Sequence, residues 1–194
     1  EKTIYVFIQC STSILDWIIN FLFFFIPQIK RWYIYFAACD GANENHRMYV
    51  LKSKTDDPMG EYDFVGKITD STDKWAIDGT VFTYGGDMYF LWSGWMGNKN
   101  VAQQIYIAKM SSPTQISSER VCISVPTYRW ETRGGRPKVN EGPTVITDGE
   151  YLSIVYSASG SWCDDYCLGQ LLFTGGDVLD PDNWVKYKKP ILQK

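Results

Sequence analysis

The stretches DGTVFTYGGDMYFLWSG (78–94) and EGPTVITDGEYLSIVYSAS (141–159) decide the fold. Each is an acidic residue and a glycine, an alternating run rich in β-branched and aromatic residues, a glycine-containing turn, and a second alternating run. Period-two alternation bounded by Gly and Asp is the pattern of paired strands. Working outward, each pair is followed by a polar loop and a third strand, QQIYIAKMSSPTQIS (103–117) and CLGQLLFTGGDVLDPDNW (167–184), which runs into a Pro-containing turn. An earlier unit has the same order: RWYIYFAA (31–38), a loop, then HRMYVLKSKTDDPMG (46–60). A further strand follows in YDFVGKI (62–68) and in RVCISV (120–125). The anchors Trp32, Met88 and Tyr151 are 56 and 63 residues apart. A long β repeat of three or four strands predicts propeller blades. The simpler alternative is a β-sandwich with incidental likeness between its hairpins.

The repeat carries candidate chemistry. Asp78 and Glu141, each followed by glycine (Gly79, Gly142), are also 63 residues apart and read as the same place in successive units. The first strand of a blade lines the central channel, so equivalent positions would bring both carboxylates to one pocket. A glycine after each would permit tight backbone there. The plainer reading of each Asp-Gly or Glu-Gly pair is a strand start or turn.

Composition narrows the function classes. The chain has 194 residues, 16% of them aromatic, including 8 Trp and 13 Tyr, and a net charge of −3. No Lys/Arg stripe is present, which argues against a nucleic-acid partner and an anionic membrane surface. Aromatic rings suit the C–H faces of sugars, although most strand aromatics serve a β core. Five cysteines (10, 39, 122, 163, 167) without a CxxC pair, and one histidine, predict no metal site and no cofactor. A bridge between Cys163 and Cys167 stays open. The segment ILDWIINFLFFFIPQI (14–29) is apolar, but Asp16, Asn20 and Pro27 interrupt it, and its unbroken core is only six residues. That is short of a membrane span and lacks the flanks of a signal peptide. Residues 1–30 are therefore set apart from a domain at 31–194, and the initial Glu predicts a fragment or processed chain.

WAIDGTVF (75–82), VNEGPTVI (139–146) and SASGSWCDDYCLG (157–169), preceded by FAACDGANENHRMYVL (36–51), resemble glycoside hydrolase family 43. The resemblance implies a five-bladed all-β propeller, of which about three blades fall in this chain. It implies hydrolysis of α-L-arabinofuranosides or β-xylosides of plant cell-wall polysaccharide with inversion, outside the cell. By motif, Glu141 is the general acid and Asp78 the carboxylate that orients substrate and raises the acid's pKa. Trp75, Trp130, Trp162 and Arg136 are candidate sugar contacts. The family's base, an Asp-Pro aspartate in an earlier blade, has no counterpart: Asp57-Pro58 and Asp180-Pro181 both fall in turns between outer strands. The expected Trp-Ala-Pro-Glu string is replaced by LFFFIPQIK (22–30), and His46 sits in a different motif from the family's axial histidine. The resemblance thus implies a chain with little or no activity alone. A non-catalytic sugar-binding relic and a protein-interaction propeller are the alternatives. Arabinoside or xyloside, and exo or endo action, stay open.

Overall fold

The computed structural model describes residues 19–147 and 151–193. Cys10 and the start of the apolar segment lie outside them. Three antiparallel units follow one another. The first comprises β1 (Ile19–Ile26), β2 (Arg31–Ala38), β3 (Arg47–Ser53) and β4 (Tyr62–Ile68). The second comprises β5 (Ala76–Tyr84), β6 (Asp87–Gly94) and β7 (Ala102–Ser112), with the short β8 (Gln115–Ile116) and β9 (Val121–Ser124) both on β7. The third comprises β10 (Lys138–Thr147), β11 (Leu152–Ala158), β12 (Cys167–Phe173) and β13 (Trp184–Lys186). Each unit is a propeller blade. A short parallel pairing of Lys138 and Val139 with Ala102 and Gln103 joins the second and third.

The apolar stretch that the sequence set apart enters the first blade. β1 pairs with β2 from Ile19↔Ala37 to Ile26↔Arg31, and Leu22, Phe24 and Ile26 pack against the core. The blade therefore begins upstream of residue 31. A run that is too short to span a bilayer is long enough to be a strand.

Blades stack face to face, so a middle blade is buried on both sides. β6 makes this explicit. Phe90 and Trp92 point into a core shared with Tyr33, Tyr35, Met48 and Val50 of the first blade. Their neighbours Tyr89 and Leu91 point into a core shared with Ile154, Tyr156 and Leu171 of the third. Successive side chains of a strand face opposite ways, and here both faces are dry. Among the described residues no helix is long and apolar enough to cross a membrane.

The repeat is real, but its register is not the one the sequence suggests. Ile77 pairs with Ser93 and Glu141 pairs with Ser157, and each strand then carries a bulge before Thr80↔Leu91 and Thr144↔Val155. The structural period is therefore 64 (157 − 93), which sets Glu141 level with Ile77 and Asp78 level with Gly142. Backbone conformation agrees: φ is +56° at Asp78 and +57° at Gly142. Aligning by acid-plus-glycine missed one residue. In the first blade the bulge falls at Asn20, between Ile19↔Ala37 and Phe21↔Phe36.

The two glycines serve different ends. Gly142 occupies the left-handed bulge position that glycine adopts without strain. Gly79 has no positive φ, but a Cβ there would sit 2.4 Å from Phe90 Cζ and 2.7 Å from Met48 Cε. Gly79→Ala should destabilise by about 1–3 kcal/mol through overpacking. Gly142→Ala should cost about 1 kcal/mol through backbone strain. Urea melts of the two variants will check both figures, and a Gly79→Ala midpoint equal to wild type would refute the close packing.

Candidate active site

Asp78 and Glu141 come together through the bulges rather than through equal positions. A one-residue offset along regular strands would turn the two side chains to opposite faces. A bulge re-aims a side chain, and Asp78 is the bulged residue itself, in a left-handed conformation that aspartate tolerates better than most. Its Oδ2 accepts a hydrogen bond from the Gly142 amide at 2.9 Å, crossing from β5 to β10. Asp78 is buried, and its charge lies near enough to Glu141 to act on it.

Glu141 is held from two directions. The Tyr166 hydroxyl donates to its Oε1 at 3.0 Å. Burial pushes the Glu141 carboxyl above the ordinary carboxylate range. The Tyr166 hydrogen bond opposes this, and the Asp78 charge adds to it. Two neighbouring carboxyls thus have unequal tasks available, one favoured as a proton carrier.

Behind Glu141 lies a buried knot that sequence reading overlooked. Glu131, with 0% exposure, is the hub. Its Oε2 accepts from the amides of Thr127 and Tyr128, both at 2.8 Å. Its Oε1 accepts from Tyr156 Oη (2.9 Å), Asn140 Nδ2 (3.1 Å) and Lys186 Nζ (2.8 Å). Asn140, the residue before Glu141, is also bonded by Ser124 Oγ at Oδ1 and by Ser93 Oγ at its carbonyl. The backbone entering Glu141 is therefore fixed by two strands and the 127–131 turn. Burial alone would raise the Glu131 pKa. The Lys186 hydrogen bond, the Tyr128 and Thr127 amides and the Lys186 charge overcome it, so the carboxyl stays below its ordinary range.

The remaining candidates divide. Trp162 is 57% exposed, with its indole N–H bonded to the Gly134 carbonyl at 2.8 Å. Its loop is stitched to the 132–137 loop by Arg133 N to Ser159 Oγ and Gly160 N to Arg133 O. The exposed Arg136 sits on that same loop. Trp75, by contrast, is 4% exposed, stacked on Trp95 at 4.6 Å, with its N–H on the Asn43 carbonyl. Trp130 is half-buried against Tyr128 and the Gly169 backbone, with its N–H on the Lys188 carbonyl. The latter two pack the fold in this structure, a role the strand-aromatic pattern equally allowed. His46 lies under Trp75, with Nδ1 2.8 Å from the Asn43 carbonyl. Cys163 and Cys167 are free thiols, as are Cys39 and Cys122. Among the described residues no three His, Cys, Asp or Glu side chains gather as a metal site. Asp57 and Asp180 each cap a local turn, accepting from Met59 N and Asp182 N.

The family model for glycosyl hydrolases family 43 matches residues 26–194. The chain belongs to this family. An extracellular exo-α-(1→5)-L-arabinofuranosidase of Streptomyces avermitilis is 36% identical over 84% of the chain and 34% of its own length. One of the same description from Streptomyces chartreusis is 31% identical over 85% of the chain and 52% of its own. Among solved structures, an α-L-arabinofuranosidase from Lactobacillus brevis superposes with a TM-score of 0.81 at 32% identity, covering 91% of this chain and 56% of that one. The family's structures are five-bladed propellers, and the three blades here are part of that architecture. The family 43 chain spans between a third and about half the length of these curated relatives.

Glu131→Ala should leave Lys186, Tyr156 and Asn140 without their shared acceptor and destabilise by about 3–5 kcal/mol. Because the folded pKa of Glu131 is lowered, its contribution is complete above the unfolded carboxylate pKa. It is lost as pH falls through the folded value. Melting temperatures measured across acid pH should fall in the wild type and fall less steeply in Glu131→Gln, and parallel profiles would refute the linkage.

Proposed function

We propose that these blades form part of an inverting glycosidase acting on terminal α-L-arabinofuranosides, with Glu141 as general acid and Asp78 as the carboxylate that keeps it protonated. The observation that carries this reading is the raised Glu141 carboxyl beside the bulge-held Asp78. The similarity to arabinofuranosidases supports the substrate class over β-xylosides. In the reaction, Glu141 gives its proton to the leaving glycosidic oxygen as the C–O bond breaks and its electron pair passes to that oxygen. Water attacks the anomeric carbon from the opposite face, losing its proton to a base. That base would be a third carboxylate from another blade, because the aspartates of the two Asp-Pro pairs, Asp57 and Asp180, each cap a local turn. Trp162 offers a fixed, exposed ring at the pocket rim for the C–H face of a sugar, and Arg136 offers hydrogen bonds to hydroxyls. Secretion fits a polymeric substrate and the extracellular relatives.

The test is turnover of a nitrophenyl α-L-arabinofuranoside by the whole protein that carries these blades. Glu141→Gln should lower kcat by roughly 10²–10⁴-fold, and an unchanged rate would overturn the assignment. NMR of the first-formed arabinose should show the inverted anomer. Trp162→Ala should raise KM by about 3–10-fold with kcat little altered, the amount one aromatic contact supplies.

A further inference from the structure

Tyr166 touches the carboxyl that the proposed reaction protonates, yet the acid–base scheme gives it no task. It ends the 160–166 turn, whose backbone closes through Cys163 N to Gly160 O and Tyr166 N to Cys163 O. The next residues enter β12 with Leu168 opposite Ser157, and Ser157 lies opposite Glu141. Glu141, Ser157 and the start of β12 are thus level across three strands, and the phenol reaches back over the middle one. Its Oη is 3.0 Å from Glu141 Oε1. Burial, foremost, with the charges of Glu141 and Asp78 pushes the phenol up to about 12, against the opposing influence of the Ser157 hydroxyl. Tyr166 therefore stays protonated throughout any pH at which a carboxylic acid could work.

A protonated phenol meets an ionised Glu141 by donating, and that bond stabilises the carboxylate. When Glu141 is protonated, the bond to Oε1 is kept with the acid proton on Oε2, whereas a proton on Oε1 would require the phenol to turn its own hydrogen away. We propose that Tyr166 is a positioning residue that confines the acid proton of Glu141 to Oε2 and sets how firmly it is held. The direction runs from Tyr166 O–H to Glu141 Oε1, leaving one oxygen free to face a leaving group. The cost of this orientation is a more acidic Glu141 than burial and Asp78 alone would give, which keeps the proton transferable.

The proposal deepens the reading of Glu141 as the acid and is tested apart from it. The side-chain carboxyl carbon of Glu141 is followed by carbon-13 NMR through a pH titration of the chain, assigned by its loss in Glu141→Gln. Tyr166→Phe keeps the ring and removes only the hydroxyl. It should raise the Glu141 titration midpoint by about 0.5–1 pH unit, the scale of one charge-assisted hydrogen bond to a partly exposed group. A midpoint that stays put or falls in Tyr166→Phe overturns the proposal, whether or not the protein turns over. In the whole protein the alkaline limb of kcat/KM should move upward with the NMR midpoint. If the midpoint moves and the limb does not, the positioning holds and it is Glu141's role as the acid that fails.

Discussion

The hydrogen bond from the Gly142 amide to Asp78 Oδ2 is the constraint on which the site depends. It links two strands that otherwise belong to separate blades, at the height where both strands bulge. Without the bulge at Asp78, strand alternation would turn the side chain to the face opposite Ile77, the side on which Phe82 packs. Without glycine at 142, the left-handed turn would be strained and its amide would not be presented as it is. A backbone N–H donated to a carboxylate holds it in place and favours its charged form. The Asp78 charge in turn acts on the half-buried carboxyl of Glu141.

Glu141 is adjustable only because its backbone is not. The Glu131 knot clamps Asn140 from two strands and the 127–131 turn, so the residue that follows has a fixed origin and only its side chain left to orient. A fully buried carboxylate is costly unless each lone pair is met, and here five donors meet two oxygens. The same arrangement explains why Glu131 is a poor proton carrier although it lies ten residues before Glu141. Lys186 and two amides favour its ionised form, whereas burial beside another negative charge disfavours ionisation of Glu141. Two glutamates of one short segment are driven in opposite directions by their partners alone.

Much of this was legible from the chain itself. Alternation and turn residues marked the strands, and the spacing of Trp32 and Met88 marked the repeat. What failed was register. The sequence aligns Asp78 with Glu141 because both precede glycine, but a bulge adds a residue that side-chain pattern does not reveal, and the structural equivalence shifts by one. The apolar run before residue 31 was misleading for a related reason. Six adjacent apolar residues lack the alternation expected of a half-buried strand, and β1 departs from it because Phe24 and its neighbours pair within a closed blade. Glu131 and Tyr166 left no periodic trace at all. Each gains its role from partners 25 residues away, Tyr156 for Glu131 and Glu141 for Tyr166. The rim and core tryptophans look alike in sequence, and only burial separates Trp162 from Trp75.

The corrected register also alters how the repeat should be understood. The bulge recurs in the innermost strand of all three blades, at Asn20, Asp78 and Gly142. Asp78 and Gly142 share a left-handed backbone, at φ +56° and +57°, so the demand common to these two is conformational. The chemistry differs at every copy: an amide side chain, a carboxylate, and a bare amide that receives the carboxylate. The propeller thus supplies a repeated kink at which strands can be joined across a blade boundary, and the residue chosen at each kink decides what is joined. On that basis Glu141 is the exception, because it stands one place before the kink, on regular strand opposite Ser157. Its side chain keeps the freedom of a strand residue and must be oriented from outside. That is why the groups holding it, Tyr166 on one side and Asp78 on the other, come from different strands and different blades.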